Sequence, residues 1–158
     1  MKKEFFDIML PVMVKNQDVY LLFCGLGYPR YDEFKEKFGD RAINCEASEQ
    51  TALDISVGLA YSNKIPFVYT ITPFLYRGFE TIRTYINYEV LNVKLVGAGR
   101  NDEYSKHDGF SHDANDIYYF MEGFDYISCF YPETVLELEK DIDKLLKART
   151  PCFLNIRK

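Results

Sequence analysis

The stretch AINCEASEQTALDISVGLAYSNKIPFVYT, residues 42–70, reads as strand, helix and strand in succession. Ala42–Cys45 and Pro66–Thr70 are short apolar runs with β-branched and aromatic residues, and between them Glu49–Ser62 has apolar residues at helical spacing. Working outward, further strands are predicted at Tyr20–Cys24, Val93–Val96, Tyr126–Phe130 and Cys152–Ile156. Helices are predicted at Tyr31–Phe38, Gly78–Val90, Asn115–Glu122 and Glu133–Lys147. This alternation calls for an α/β fold: a three-layer αβα sandwich around a mostly parallel six-stranded sheet. Lys2–Val14 reads as an extra helix ahead of the sheet, which Pro11 is expected to break or kink.

At 158 residues the chain is expected to be one domain, residues 1–158, with a core of its own. Its formal charge of −5 offers no basic surplus to neutralise a phosphate backbone, so no nucleic-acid partner is expected. There is no apolar run of bilayer-spanning length, and the first ten residues mix acidic with apolar side chains. The expectation is a cytoplasmic protein that does not engage a membrane. Cys24, Cys45, Cys129 and Cys152 are scattered through strand-like contexts without zinc-ligand spacing, and read as buried reduced thiols. Thirteen Tyr and thirteen Phe without Trp imply large flat surfaces to cover, in the core or at an interface.

Ligands of an open parallel sheet collect beyond the carboxyl ends of its strands, which directs attention to three segments. The first is Arg41-Ala-Ile-Asn-Cys-Glu-Ala-Ser-Glu-Gln50, where Glu49 opens a helix and Ser48 stands at the cap position. A carboxylate there is stabilised by the helix dipole; the same residues also fit a solvated first-turn acid or a capping box. The second, Thr70-Ile-Thr-Pro-Phe-Leu-Tyr-Arg-Gly-Phe79, sets Phe74, Tyr76 and Phe79 around Arg77. Its rings can sandwich a planar heterocycle or simply pack in the core. The third runs from Arg100 to His112 and holds Asp108 and both histidines of the protein. It lacks the companion ligands of a metal site, so its histidines read as hydrogen-bonding or proton-transfer groups.

In this order the segments resemble the pyrimidine-binding domain of the transketolase family. The anchors are Gly39-Asp-Arg-Ala-Ile-Asn44 leading to Glu49-Gln50, then Gly58-Leu-Ala60 and Lys64-Ile-Pro-Phe-Val-Tyr-Thr70. Phe74-Leu75, Asn92-Val-Lys-Leu-Val-Gly97, Asp108-Gly109 with His112, and Tyr131-Pro132 complete the set. The resemblance implies the thiamine diphosphate-binding fold and that cofactor. It gives Glu49 the task of hydrogen-bonding the aminopyrimidine ring and promoting its imino form, which generates the carbon nucleophile. Phe74, Arg77 and Phe79 are implied to line the pyrimidine pocket, and Arg100, Asp108 and His112 to meet the sugar substrate, His112 also at the developing charge.

Some positions depart from the family. Glu46 stands where Gly is usual three residues before the glutamate, and is expected to bring a second carboxylate near the cofactor. Gly25 replaces a common acidic residue, and Tyr131 stands where phosphosugar enzymes can carry Arg. Gly39-Asp-Arg does not supply the Gly-Asp-Gly motif that holds the diphosphate and its magnesium. The resemblance therefore implies a split enzyme. A diphosphate-binding transketolase subunit would contribute the Mg2+ ligands, the two would assemble as a heterotetramer, and a two-carbon ketol unit would pass between sugars or sugar phosphates. A deoxyxylulose phosphate synthase-like or E1 β-like subunit, a silent regulatory module of the same fold, and a flavodoxin-like binder are the alternative readings.

Overall fold

The computed structural model describes residues 1–25 and 28–158. Helix α1 (Lys2–Lys15) precedes strand β1 (Val19–Phe23), followed by α2 (Tyr28–Phe38), β2 (Ala42–Asn44), α3 (Glu49–Tyr61) and β3 (Ile65–Ile71). After β3 come a 3-10 segment (Thr72–Gly78), a single α-turn α4 (Phe79–Thr81) and a π-helical segment (Ile82–Asn87). The chain continues through β4 (Lys94–Ala98), α5 (Ser105–Asp108), a 3-10 turn (Phe110–His112) and α6 (Ile117–Glu122). It closes with β5 (Ser128–Phe130), α7 (Val135–Lys147) and β6 (Cys152–Ile156).

The six strands form one parallel sheet in the order β2-β1-β3-β4-β6-β5. Alternation along each strand supplies both layers. Leu21, Phe23, Phe67 and Tyr69 face a core built with Phe5, Phe6, Met9 and Met13 of α1, Phe34 of α2 and Leu138 and Ile142 of α7. Leu22, Cys24, Val68, Leu95 and Phe153 face the opposite core, made with Ala52 and Leu53 of α3 and Ile117 and Met121 of α6. The strands are hydrophobic on both faces, as a parallel sheet covered by helices requires.

Two predicted elements are corrected. Helix α1 passes through Pro11 unbroken. Asp7, whose carbonyl loses its helical partner, and Pro11 both lie on the exposed side, where water can satisfy that carbonyl. An interior proline costs roughly 3 kcal/mol, whereas each large apolar side chain that α1 buries returns roughly 1.5–3 kcal/mol, and four of them are buried. The helix predicted over Gly78–Val90 is instead the succession of 3-10, α and π turns, ending at Val90 with φ of 53°. The smaller differences, such as α6 opening at Ile117 and α7 at Val135, are shifts of element boundaries.

The chain turns from β1 outward to β2, then crosses back to β3 on the other side of β1, so the strand order reverses between β1 and β3 while every strand stays parallel. Such a reversal opens a crevice at the carboxyl ends of the strands. The loop beyond β4 is fixed close to this edge by Gly99, which has φ of +88°, and a Cβ there would lie 2.3 Å from the Tyr104 ring. Gly99→Ala is therefore expected to lower stability by about 1–3 kcal/mol in a urea titration. An unchanged midpoint would show that the loop is not packed as described.

Candidate active site

Strand β2 ends in a turn that delivers a buried acid. The Cys45 amide donates to the Phe23 carbonyl at 2.8 Å, extending the ladder one step beyond the strand, and the Ser48 amide donates to the Cys45 carbonyl at 3.0 Å. Between them Glu46 takes φ of 50°, a conformation that favours glycine, so the family's usual residue there has a backbone reason. Glu46 is exposed, and its carboxylate accepts from Asn44 Nδ2 at 2.7 Å while its amide donates to Asn44 Oδ1 at 3.0 Å. Its side chain is thus engaged within its own turn. Ser48 occupies the cap position, but its hydroxyl pairs with the Thr51 hydroxyl and makes no backbone cap.

Glu49, the first residue of α3, is only 2% exposed, which rules out the solvated first-turn acid. Thr70, buried at the end of β3, donates from Oγ1 to Glu49 Oε1 at 3.2 Å. Arg77 Nη1 donates to Glu49 Oε2 at 2.5 Å. The Arg77 guanidinium in turn lies 4.0 Å from the centroid of the Phe74 ring. The His112 ring meets Phe74 edge-on at 4.9 Å between centroids, and Ser111 Oγ lies 3.1 Å from His112 Nδ1. Glu49, Arg77, Phe74 and His112 thus form one continuous group drawn from α3, the segment after β3 and the loop after β4.

The approach of these elements depends on a missing side chain. A Cβ on Gly78 would fall 2.0 Å from Leu53 Cδ1, so glycine lets the segment bearing Arg77 lie directly on α3. The turn that follows is tied to α3 as well: Gln50 Nε2 donates at 2.8 Å to Thr81 Oγ1 of α4, and that hydroxyl donates to Asp54 Oδ1 at 2.7 Å.

The other expected residues lie differently. Phe79 packs at 5.2 Å from Phe120 and 6.2 Å from Phe124, in an aromatic cluster that Tyr76 joins through Phe120 at 4.6 Å. Burial, then the neighbouring Asp116, pushes the Tyr76 phenol up to about 12. Asp108 is exposed at the end of α5, two residues before Phe110, which is 98% exposed.

Arg100, expected to meet substrate, is turned into the protein. Its Nε and Nη2 donate to the Asn155 carbonyl at 3.0 and 2.5 Å, Nη2 also to the Pro132 carbonyl at 2.7 Å, and Nη1 to Glu133 Oε1 at 2.6 Å. A guanidinium with its donors so engaged works as a brace between β4, β6 and the start of α7. Among the described residues, no group of three or more His, Cys, Asp or Glu side chains is arranged to hold a metal ion.

Thr70 is a site residue that the sequence alone does not single out. A signal exists, since it is the hydroxyl at the carboxyl end of the strand beside the reversal, but threonine is too common in strands to be marked by it.

Comparison with known proteins adds the family. The profile described as transketolase, pyrimidine binding domain, matches residues 17–158. The chain belongs to the transketolase pyrimidine-binding domain family. Similar curated proteins include one of the subunits of apulose-4-phosphate transketolase from Actinobacillus succinogenes, 29% identical over 124 residues, which are 78% of this chain and 40% of that one. The transketolase of Homo sapiens is 30% identical over 122 residues, 77% of this chain and 19% of that protein. The chain thus spans well under half the length of these relatives.

Solved structures in the family share the fold. A split gene transketolase described as an inactive beta4 tetramer superposes with a TM-score of 0.85 at 23% identity, over 99% of this chain and 50% of that one. Transketolase from Leishmania mexicana gives 0.79 at 15% identity, over 97% of this chain and 24% of that one. The three-layer fold and its parallel sheet are therefore those of transketolase pyrimidine domains.

The ion pair carries a direct test. Arg77→Met leaves the buried Glu49 carboxylate with Thr70 alone. Because the Arg77 side chain is 47% exposed, water recovers part of the loss, and a destabilisation of roughly 1–3 kcal/mol is expected. A change within about 0.5 kcal/mol, the range of ordinary surface substitutions, would show that Arg77 does not neutralise Glu49.

Proposed function

We propose that residues 1–158 act as one domain, the pyrimidine-binding subunit of a two-chain thiamine diphosphate-dependent transketolase. In this reading it moves a two-carbon ketol unit between sugars in the cytoplasm, and only when joined by a diphosphate-binding subunit. The observation that carries the proposal is Glu49: an ionisable side chain, buried and oriented by two donors, at the carboxyl edge of a parallel sheet. Family membership and relatives that are themselves named as transketolase subunits support the split assembly. So does the fold neighbour described as an inactive beta4 tetramer, because it is a split-gene transketolase without activity in that state. A heterotetramer of two copies of each subunit is the assembly we infer, with Mg2+ held by the partner.

The residues fit the pyrimidine end of the cofactor. Thr70 and Arg77 each engage one oxygen of Glu49, and a carboxylate has further lone pairs to offer a ring nitrogen. Glu49 is held in one orientation, as proton exchange with a heterocycle requires. Phe74 presents a flat face, now covered by the Arg77 guanidinium, so Arg77 must move aside for a ring to reach both Phe74 and Glu49. When bound, thiamine diphosphate supplies the carbon nucleophile that cleaves and rebuilds ketose carbon–carbon bonds. His112, held against Phe74, is the donor we assign to substrate oxygen, and exposed Asp108 is assigned to sugar hydroxyls. Phe79 and its aromatic neighbours form the outer wall, and Arg100 is assigned to holding the loop rather than the sugar.

Reconstitution with the partner subunit, thiamine diphosphate and Mg2+ tests the reading. Glu49→Gln keeps size and one acceptor but cannot exchange the proton, and kcat is expected to fall about 10²–10⁴-fold. His112→Ala is expected to reduce kcat/KM less severely. Wild-type turnover by the Glu49→Gln complex would remove the proposed mechanism.

A further inference from the structure

The ends of β1 and β2 hold a feature that the proposed transketolase chemistry does not use. Phe23 of β1 is paired with Asn44 of β2, and the Cys45 amide donates to the Phe23 carbonyl at 2.8 Å. The next step of the ladder sets Cys24 beside Cys45. Neighbouring strands run ~4.8 Å apart, inside the roughly 4.4–6.8 Å range of Cα separations that a disulfide spans. Both side chains also point into the same core layer, with Leu22, Ala52 and Leu53. From this geometry we propose that Cys24 and Cys45 are a reversible oxidation site, a dithiol that hydrogen peroxide converts to a disulfide beside Glu49.

The two thiols differ in the way such a couple needs. Cys24 is 1% exposed and Cys45 9%, so an oxidant arriving at the carboxyl edge of the sheet meets Cys45 first. The Cys24 thiol is pushed far up, first by its contact with Cys45 and then by burial. The same contact pulls Cys45 down, against the effect of its own burial. Cys45, the more exposed of the two, is thereby the thiol that peroxide reaches, and Cys24 behind it is the partner that resolves it.

The chemistry balances in two steps. The Cys45 thiolate attacks one peroxide oxygen, the O–O bond breaks, and Cys45 becomes a sulfenic acid as hydroxide leaves. The Cys24 sulfur then attacks the Cys45 sulfur, the S–O bond breaks, and the Cys24 proton leaves with the oxygen as water. Peroxide is reduced and two thiols are oxidised; an external dithiol reverses the change by exchange.

The other two cysteines serve as internal controls. Burial pushes the Cys129 thiol up to about 11 and raises Cys152 as well. They occupy adjacent strands but face opposite core layers, since Cys152 lies in the layer with α1 and α7 and Cys129 packs against the layer with α3. They cannot bridge each other without rotation of a strand.

The position of the pair gives it a target. The Cys45 carbonyl accepts the Ser48 amide in the turn that opens α3, and Cys24 feels the charges of Glu49 and Arg77. A disulfide would therefore tether the turn that presents Glu49 to the end of β1.

The bond needs neither cofactor nor partner, so the full chain is tested directly. The reduced protein is exposed to hydrogen peroxide, alkylated under denaturing conditions and mapped by peptide mass spectrometry. The expected result is loss of two of the four alkylatable thiols and a peptide cross-linked through Cys24 and Cys45, with both thiols regained after dithiothreitol. In Cys24→Ser, Cys45 should stop at the sulfenic acid and be trapped by dimedone. The proposal is overturned if, in the wild-type chain, Cys24 and Cys45 stay alkylatable while Cys129 or Cys152 reacts, if all four stay alkylatable, or if Cys45 proceeds to sulfinic acid without a cross-link.

Discussion

A carboxylate taken out of water is the constraint around which this end of the fold is arranged. Burying an ionised acid costs several kcal/mol unless partners replace its hydration, a sum comparable with the whole net stability of a small domain. Glu49 receives those partners from two other elements, Thr70 at the end of β3 and Arg77 in the 3-10 segment beyond it. Both must reach the first turn of α3. The strand order brings β3 past β1 from the far side of β2, and Gly78 lets the segment carrying Arg77 close onto Leu53. A fold that buries such a group under an arginine that is itself 47% exposed is suited to lend the carboxylate to something else.

The opposite rim of the crevice is held by polar contacts of a different kind. Thr72 Oγ1 donates to the Gly99 carbonyl at 2.6 Å and accepts from Asn155 Nδ2 at 2.8 Å. The same Asn155 amide reaches the Gly97 and Gly99 carbonyls at 3.0 and 3.1 Å, and Arg100 clamps the Asn155 and Pro132 carbonyls. A buried network of this sort favours one geometry because its groups have no water to replace a lost partner, although Asn155 Oδ1 itself has none. Its effect is to give the Arg100–His112 loop a rigid base. His112 consequently meets Phe74 at a defined angle although it lies on a loop.

Much of this was legible in the sequence, for identifiable reasons. Doubly buried strands have a strong signature, and both the three layers and the parallel sheet followed from it. Glu49 was legible by position, as an acid opening a helix just beyond a strand. Its burial was not, because burial came from Arg77 and Thr70, 28 and 21 residues away, and a helix start looks alike whether its acid faces water or protein. Arg100 shows the same limit: its reading as a substrate contact could not include the carbonyls of Asn155 and Pro132 that its donors meet, 55 and 32 residues away. Pro11 shows the converse, a strong local rule overridden by apolar contacts that local sequence does not reveal. The contact between Cys24 and Cys45 was hidden because only strand pairing sets them side by side.

The central claim is that Glu49, paired with Arg77 in the free chain, is held ready for a nitrogen of the thiamine ring that displaces Arg77. The most direct measurement is a crystal structure of the chain with its diphosphate-binding partner and thiamine diphosphate. The account predicts a Glu49 carboxylate oxygen within about 2.6–3.0 Å of a pyrimidine nitrogen, the ring against Phe74, and the Arg77 guanidinium displaced from that face. An Arg77–Glu49 pair left intact with the heterocycle bound elsewhere would contradict it.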